Sequence, residues 1–100
     1  MKKEEGNKII AEFMQSSYIN ETNNYATNWD WLMSAIEKIE SIYDEYHGYF
    51  GVHIVSNSCT IQGTMMWKNT DAYHNPITLS NKIESTWHAI VQFIQWYNNK

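Results

Sequence analysis

The sequence predicts an α+β domain: three helices packed on a small two- to three-stranded antiparallel sheet, in the order α-α-β-β-α. Three observations predict it. Apolar residues recur at helical spacing in the first part of the chain, the period changes to two at Phe50, and a broad helical face returns after Asn81. The chain of 100 residues is long enough for one hydrophobic core and reads as a single domain over residues 1–100. A hydrophobic fraction of 43% and an aromatic fraction of 15% exclude a disordered chain.

The first helix is expected from Lys3 to Gln15, where Ile9, Ile10, Phe13 and Met14 share a face and Gly6 weakens the first turn. Ser16 to Ala26 lacks periodicity, is rich in turn formers and reads as a loop. The second helix is placed at Asn28 to Asp44. Thr27 and Asp30 have capping-box spacing, and Leu32, Ile36, Ile39 and Tyr43 form the apolar stripe, widened by Ala35 and Ile42. Phe50, Val52 and Ile54 then alternate with Gly51, His53 and Val55 as a strand. Ser56-Asn57-Ser58 reads as a hairpin turn, and Cys59, Ile61, Gly63 and Met65 as one face of the returning strand. Met65 to Lys68 extends this strand or forms a third. Asn69 to Leu79 reads as a loop, because Asn75-Pro76 breaks regular structure. The last helix opens on Asn81 with Glu84, or on Ser80 as an alternative cap. Ile83, Trp87, Ile90, Val91, Ile94 and Tyr97 make its continuous apolar face, which Phe93 and Trp96 broaden.

The charge inventory narrows the function classes. Seven basic residues face eleven acidic ones for a net charge of -4, and every basic residue is lysine. Arginine is the usual side chain for bidentate phosphate and guanine recognition, and duplex binding needs a basic stripe, so duplex nucleic acid is not an expected partner. One small anionic ligand needs only a lysine or two. The bias toward Ile (twelve, against two Leu) and Asn (eleven) matches an AT-rich bacterial or phage genome, which also accounts in part for the missing arginine. Cys59 is the one cysteine, so no internal disulfide forms and nothing argues for an oxidising compartment. The opening M-K-K-E-E-G-N-K does not read as a secretory signal, and no apolar run reaches the ~18 residues of a membrane helix.

Three blocks carry a resemblance. N-K-I-I-A-E-F-M (Asn7 to Met14), N-W-D-W-L-M-S-A-I-E-K-I-E (Asn28 to Glu40) and S-N-K-I-E-S-T-W-H-A-I-V-Q-F-I-Q-W-Y-N (Ser80 to Asn98) cover about half the chain in order. They resemble the N-K-L-I-A-E-F-M, S-W-D-W-L-M-P-V-V-E-K-I-E and S-K-I-E-A-V-Y-K-A-V-V-E-F-I-K-W-Y-N blocks of small phage and prophage proteins of gut Bacteroidetes, a group similar to the phage αβα-sandwich domain. Ser34 stands where those relatives tend to have proline. The resemblance implies a phage-encoded protein working in the host cytoplasm, and proteins of this size and origin often counter host defence. One such class sequesters nucleotide-derived immune signals as non-enzymatic homo-oligomers. No catalytic residue is assigned to the group, so none carries over.

The candidate ligand residues are Trp29, Trp31, Trp67, Lys68, Tyr73 and Lys82. Trp29 and Trp31 flank Asp30 at a helix start, and residues two apart do not share a face, so one packs inward and the other is exposed. An exposed one can stack a base while helix-terminal N–H groups hold a phosphate; core packing with a hydrophobic staple is the competing role. Trp67-Lys68 and Tyr73-His74 bracket a loop and join aromatic rings to cations, against the plainer role of covering a sheet edge. Lys82 in a first helical turn opposes the dipole, which suits an anion site as well as a solvated lysine. Cys59 and His53 lie on adjacent strands, yet Cys59 shares its face with Ile61 and reads as a buried structural thiol. The histidines have no metal-ligand spacing. The expectation is therefore a non-enzymatic sponge without cofactor, whose partner is a small nucleotide-like ligand. The alternative is a protein–protein inhibitor of a host defence enzyme or a phage accessory protein, and a small hydrolase is the third reading. A homo-oligomer is expected because the final helix carries more apolar surface than a small sheet covers.

Overall fold

Helix α1 (Lys3–Phe13) buries Gly6, Ile10 and Ala11. Its Gly6 is a packing notch: a Cβ built there would stand 2.1 Å from Cζ2 of Trp87. Helix α2 (Trp29–Ser41) buries Leu32, Ala35, Ile36 and Ile39. Its cap is Asn28, whose side chain accepts from the amides of Asp30 and Trp31; the cap expected at Thr27 lies one residue later. Helix α3 (Lys82–Asn98) is capped as its sequence predicts, with the Glu84 amide donating to Asn81 Oδ1 at 2.9 Å and the Ser80 hydroxyl donating to the Glu84 carboxylate at 2.6 Å. The computed structural model describes residues 2–14, 25–45, 47–63 and 73–99, and the possible strand Met65 to Lys68 lies outside them.

Among the described residues the sheet has four antiparallel strands in the order β1-β2-β3-β4, where two or three were expected: β1 (Tyr43–Asp44), β2 (Gly48–Val55), β3 (Ser58–Gly63) and β4 (His74–Thr78). Two corrections explain the difference. The helix assigned to Asp44 ends at Ser41, where the Ser41 hydroxyl bonds the Lys38 carbonyl and Ile42 turns extended, and Tyr43 then pairs with Tyr49. Within the segment read as a loop, Asn69 to Leu79, the residues His74–Thr78 form an edge strand, while 69–72 lie outside the described residues. The Gly63 amide donates to the Tyr73 carbonyl at 3.1 Å, and the alternation of an antiparallel ladder then turns the nitrogen of Pro76 away from β3. Proline is tolerated at an edge where no donor is needed, and it blunts that edge against further pairing.

The β2–β3 hairpin turns at Ser56-Asn57, with Ser56 at φ 53° in the left-handed region. Its register sets Phe50, Val52 and Ile54 beside Gly63, Ile61 and Cys59 on the covered face. Buried Ser85 ties this turn to α3: its hydroxyl donates to the Asn57 carbonyl at 2.5 Å and accepts from the Leu79 amide at 2.7 Å.

Helix α3 is the centre of the packing. It contacts α1, α2, β2, β3 and β4, and it buries Trp87, Ala89, Ile90, Val91, Phe93 and Ile94. Of the face expected to drive self-association, the sheet and α1 bury Trp87, Ile90, Val91, Phe93 and Ile94 and leave Ile83, Trp96 and Tyr97 half-buried. Among the described residues the large exposed apolar side chains are Trp29 and Met33 on α2, and Tyr43, Tyr49 and Val55 on the strands. Helices α2 and α3 cover one face of the sheet. Among the described residues no helix covers the other.

The Gly6 notch makes a prediction opposite to the usual helix-propensity rule. Gly6→Ala gains ~1 kcal/mol of propensity but forces a methyl into buried Trp87, a kind of overpacking that costs ~1–3 kcal/mol. Urea denaturation should show net destabilisation; a more stable variant would show that Trp87 does not fill the notch.

Candidate functional site

The starts of α1 and α3 and the turn before α2 meet at one cleft of about 290 Å³, lined by Lys3, Ala26, Thr27, Asn81, Ile83, Glu84, Trp87 and His88. Each wall has a local cause. Trp87 is pulled toward α1 by the Gly6 notch and by its indole N–H, which donates to Asn7 Oδ1 at 3.0 Å. His88 stands edge-on to Trp87, with ring centroids 4.8 Å apart. Buried Tyr25 holds the turn before α2, packing edge-on against Trp31 at 5.5 Å, and this sets Ala26 and Thr27 at the cleft wall. Asn81 and Glu84 are the capping pair of α3.

The cleft therefore has an apolar floor (Ala26, Ile83, Trp87) under a polar rim carrying both charge signs. Lys3 and Glu84 line the same cleft without an ion pair between them, since the one side-chain ion pair among the described residues is His47–Asp44. Asn28 and Asn81 already satisfy amides at the starts of α2 and α3, whereas the residue before α1, Lys2, provides no side-chain cap. An unpaired lysine, an imidazole, a carboxylate and an apolar floor are equipped to hold a small polar molecule by hydrogen bonds and charge.

Of the six sequence-predicted site residues, the four that are described divide between the two ends of α3. Lys82 is exposed, between the lining residues Asn81 and Ile83. Trp29 is 37% exposed and Trp31 half-buried against Tyr25. This is the expected split between an outer and an inner tryptophan, and both lie just past the Ala26–Thr27 wall. Tyr73 is elsewhere. It packs on Trp96 at 4.6 Å and on Phe93 at 5.5 Å, near the other end of α3. Lys82 and Trp96 are about 21 Å apart along the helix, so Tyr73 does not join the cleft. Trp67 and Lys68 lie outside the described residues. The cleft residues Lys3, Thr27, Trp87 and His88 went unassigned in sequence; Thr27 and the Asn81–Glu84 pair were visible only as caps.

A second polar feature sits near the far end of α3. His47 and Asp44, both buried, are joined through Nδ1 and Oδ1 at 3.0 Å, which leaves Nε2 of His47 without a hydrogen-bond partner among the described residues. The imidazole stacks on Phe50 at 5.8 Å and meets Trp96 edge-on at 5.2 Å. Gly63 allows this approach, because a Cβ there would lie 2.9 Å from that of His47. The D-x-x-H spacing was the available signal. No group of three or more His, Cys, Asp or Glu positioned to hold a metal occurs among the described residues.

Cys59 and His53 do not meet: Cys59 pairs with Ile54, while His53 pairs with Thr60 and is exposed on the opposite face. Burial pushes the Cys59 thiol up to about 11, partly offset by a hydrogen bond with Thr86. Burial likewise raises the Tyr73 and Tyr25 hydroxyls. A thiol held protonated is a poor nucleophile.

No protein-family model matches the chain, and no curated protein or solved structure is significantly similar to it. No helix among the described residues is long and apolar enough to cross a membrane.

The Cys59 shift gives a pH prediction. Its pKa is raised from 9.0 to about 11, so the thiol's contribution to stability is complete below pH 9 and lost as pH rises toward 11. Denaturation curves of the native protein should weaken over that window. In Cys59→Ala the fall should begin later, where the buried tyrosines start to ionise; identical onset in both proteins would contradict the assignment.

Proposed function

We propose that the protein is a non-catalytic binding protein that takes a small anionic, ring-bearing molecule of the nucleotide type in the cleft between the starts of α1 and α3. The observation that carries this reading is the cleft itself, with Lys3 and His88 at its rim, and Ile83 and Trp87 at its floor. The lysine supplies charge for a phosphate, and the floor supplies apolar contact for a ring. Joined to the resemblance to small phage proteins, the finer reading is sequestration of a nucleotide-derived immune signal in the host cytoplasm. The buried, protonated Cys59 and its separation from His53 support binding over thiol chemistry.

A second reading has its own observation. The open face of the sheet exposes Tyr43 (61%), Tyr49 (53%) and Val55 (70%), with the two tyrosine rings 5.2 Å apart. A protein-binding module would use this surface, since tyrosine is enriched in interface cores.

A thermal-shift screen against mononucleotides, cyclic di- and trinucleotides and ADP-ribose derivatives separates the readings. The cleft reading predicts a shift with at least one nucleotide, no turnover by chromatography, and loss of the shift in Lys3→Ala or His88→Ala. With so few cations, affinity should fall only modestly with salt. No shift with any nucleotide, or a shift unchanged in Lys3→Ala and His88→Ala, would overturn the cleft reading; binding of a host protein that Tyr43→Ala abolishes would favour the open face.

A further inference from the structure

Two features of the cleft narrow its ligand, given that the cleft is a binding site. The first is size. About 290 Å³ lies at the small end of the range for ligand sites, roughly 300–1,000 Å³. One nucleotide unit matches that volume, whereas two or three linked ones would extend beyond it into solvent. The second is charge arrangement. Lys3 and Glu84 face one cleft and are not ion-paired with each other, so the rim offers a cation and an acceptor-only carboxylate separately. A simple polyanion does not suit this rim, because Glu84 would repel it. The rim suits a molecule that is anionic at one end and carries hydrogen-bond donors at the other.

Glu84 is held for such a role. Its backbone amide is fixed by Asn81 at 2.9 Å, and one carboxylate oxygen accepts from Ser80 at 2.6 Å, which pins the side chain while leaving acceptor sites on the other oxygen. A carboxylate with open acceptor sites is a natural partner for the vicinal hydroxyls of a ribose. Lys3 opens the first turn of α1 and lines the cleft, where a phosphate would gain from its ammonium. The acidic Glu4 and Glu5 of that turn are exposed and do not line the cleft.

We propose that the ligand is a single nucleotide-sized molecule bearing one phosphate and a free vicinal diol, with Glu84 receiving the diol, Lys3 and His88 the phosphate, and Ile83 and Trp87 the ring. This deepens the cleft reading and depends on it. The selectivity it implies is for one nucleotide unit over cyclic di- and trinucleotides.

Isothermal titration with adenosine 5′-monophosphate, its 2′,3′-dideoxy analogue, adenosine and a cyclic dinucleotide tests it. The native protein should bind the monophosphate at least about tenfold more tightly than the dideoxy analogue, the loss expected when a hydrogen bond to a charged group is removed. In Glu84→Gln, which keeps a capping-box residue, that difference should shrink. In Lys3→Ala the monophosphate should weaken by a similar factor while adenosine does not. Equal affinity for the monophosphate and its dideoxy analogue, or tighter binding of the cyclic dinucleotide, would overturn the diol assignment and leave the cleft reading standing. No binding of any of these would overturn both.

Discussion

The contact between Trp87 and Gly6 is the constraint on which the helical side of the molecule depends. A tryptophan ring needs a gap in the facing helix, and α1 provides one by having no Cβ at position 6. The indole N–H, which would be costly to bury alone, is satisfied by Asn7 one residue further on. Those two adjacent residues fix where α1 crosses α3. That crossing brings Lys3 to the start of α3 and opens the cleft. Lys38 of α2 completes the arrangement by bonding the Phe13 carbonyl at the end of α1 and lying 4.7 Å from the centroid of the Phe13 ring. A lysine at a helix C-terminus is favoured by the dipole.

Around this crossing the molecule solves the usual problem of a small domain, which has little interior for its surface. Helix α3 runs between sheet and α1 and is buried for most of its length, so one element supplies much of the core. At its far end Phe50, Phe93, Tyr73, Trp96 and His47 form a network of edge and face contacts between 4.6 and 5.8 Å. Aromatic pairs in such geometries add to the burial of their area. The polar contacts concentrate at the other end, where helix starts meet. Helix α3 thus has an aromatic end and a polar one, and the candidate ligand site lies at the polar end.

Much of the fold was legible in the residues because local signals agreed with the tertiary outcome. Asn81 with Glu84, the stripe on α2, and the alternation from Phe50 to Ile54 each named an element that exists. The failures had physical causes. Pro76 was read as a breaker, and whether a proline breaks a strand depends on which side its nitrogen faces, a property of register and not of local sequence. Tyr43 continues the helical period of α2 but is drawn into a strand by Tyr49, a partner only the hairpin supplies. Gly6 looked like a weakness in α1 because its use depends on Trp87, 81 positions later in the chain. The site was less legible. Lys82 and Trp29 stand at two helix starts beside the cleft without lining it, and the lining residues are ordinary caps and surface charges that gain meaning only when three helix starts meet. Tyr73 and Lys82 look alike in sequence, as an aromatic and a cation beside one loop, and α3 carries them to opposite ends.

The central claim is that ligand chemistry belongs to the meeting point of the helix starts and not to the open sheet. Amide and indole chemical-shift mapping by NMR during titration with adenosine 5′-monophosphate tests it most directly. The account predicts that the shifts concentrate at Lys3, Thr27, Glu84 and His88 and at the Trp87 indole, while Tyr43, Tyr49 and His53 stay in place. Shifts concentrated on the strand residues, or no shifts anywhere at millimolar nucleotide, would contradict it.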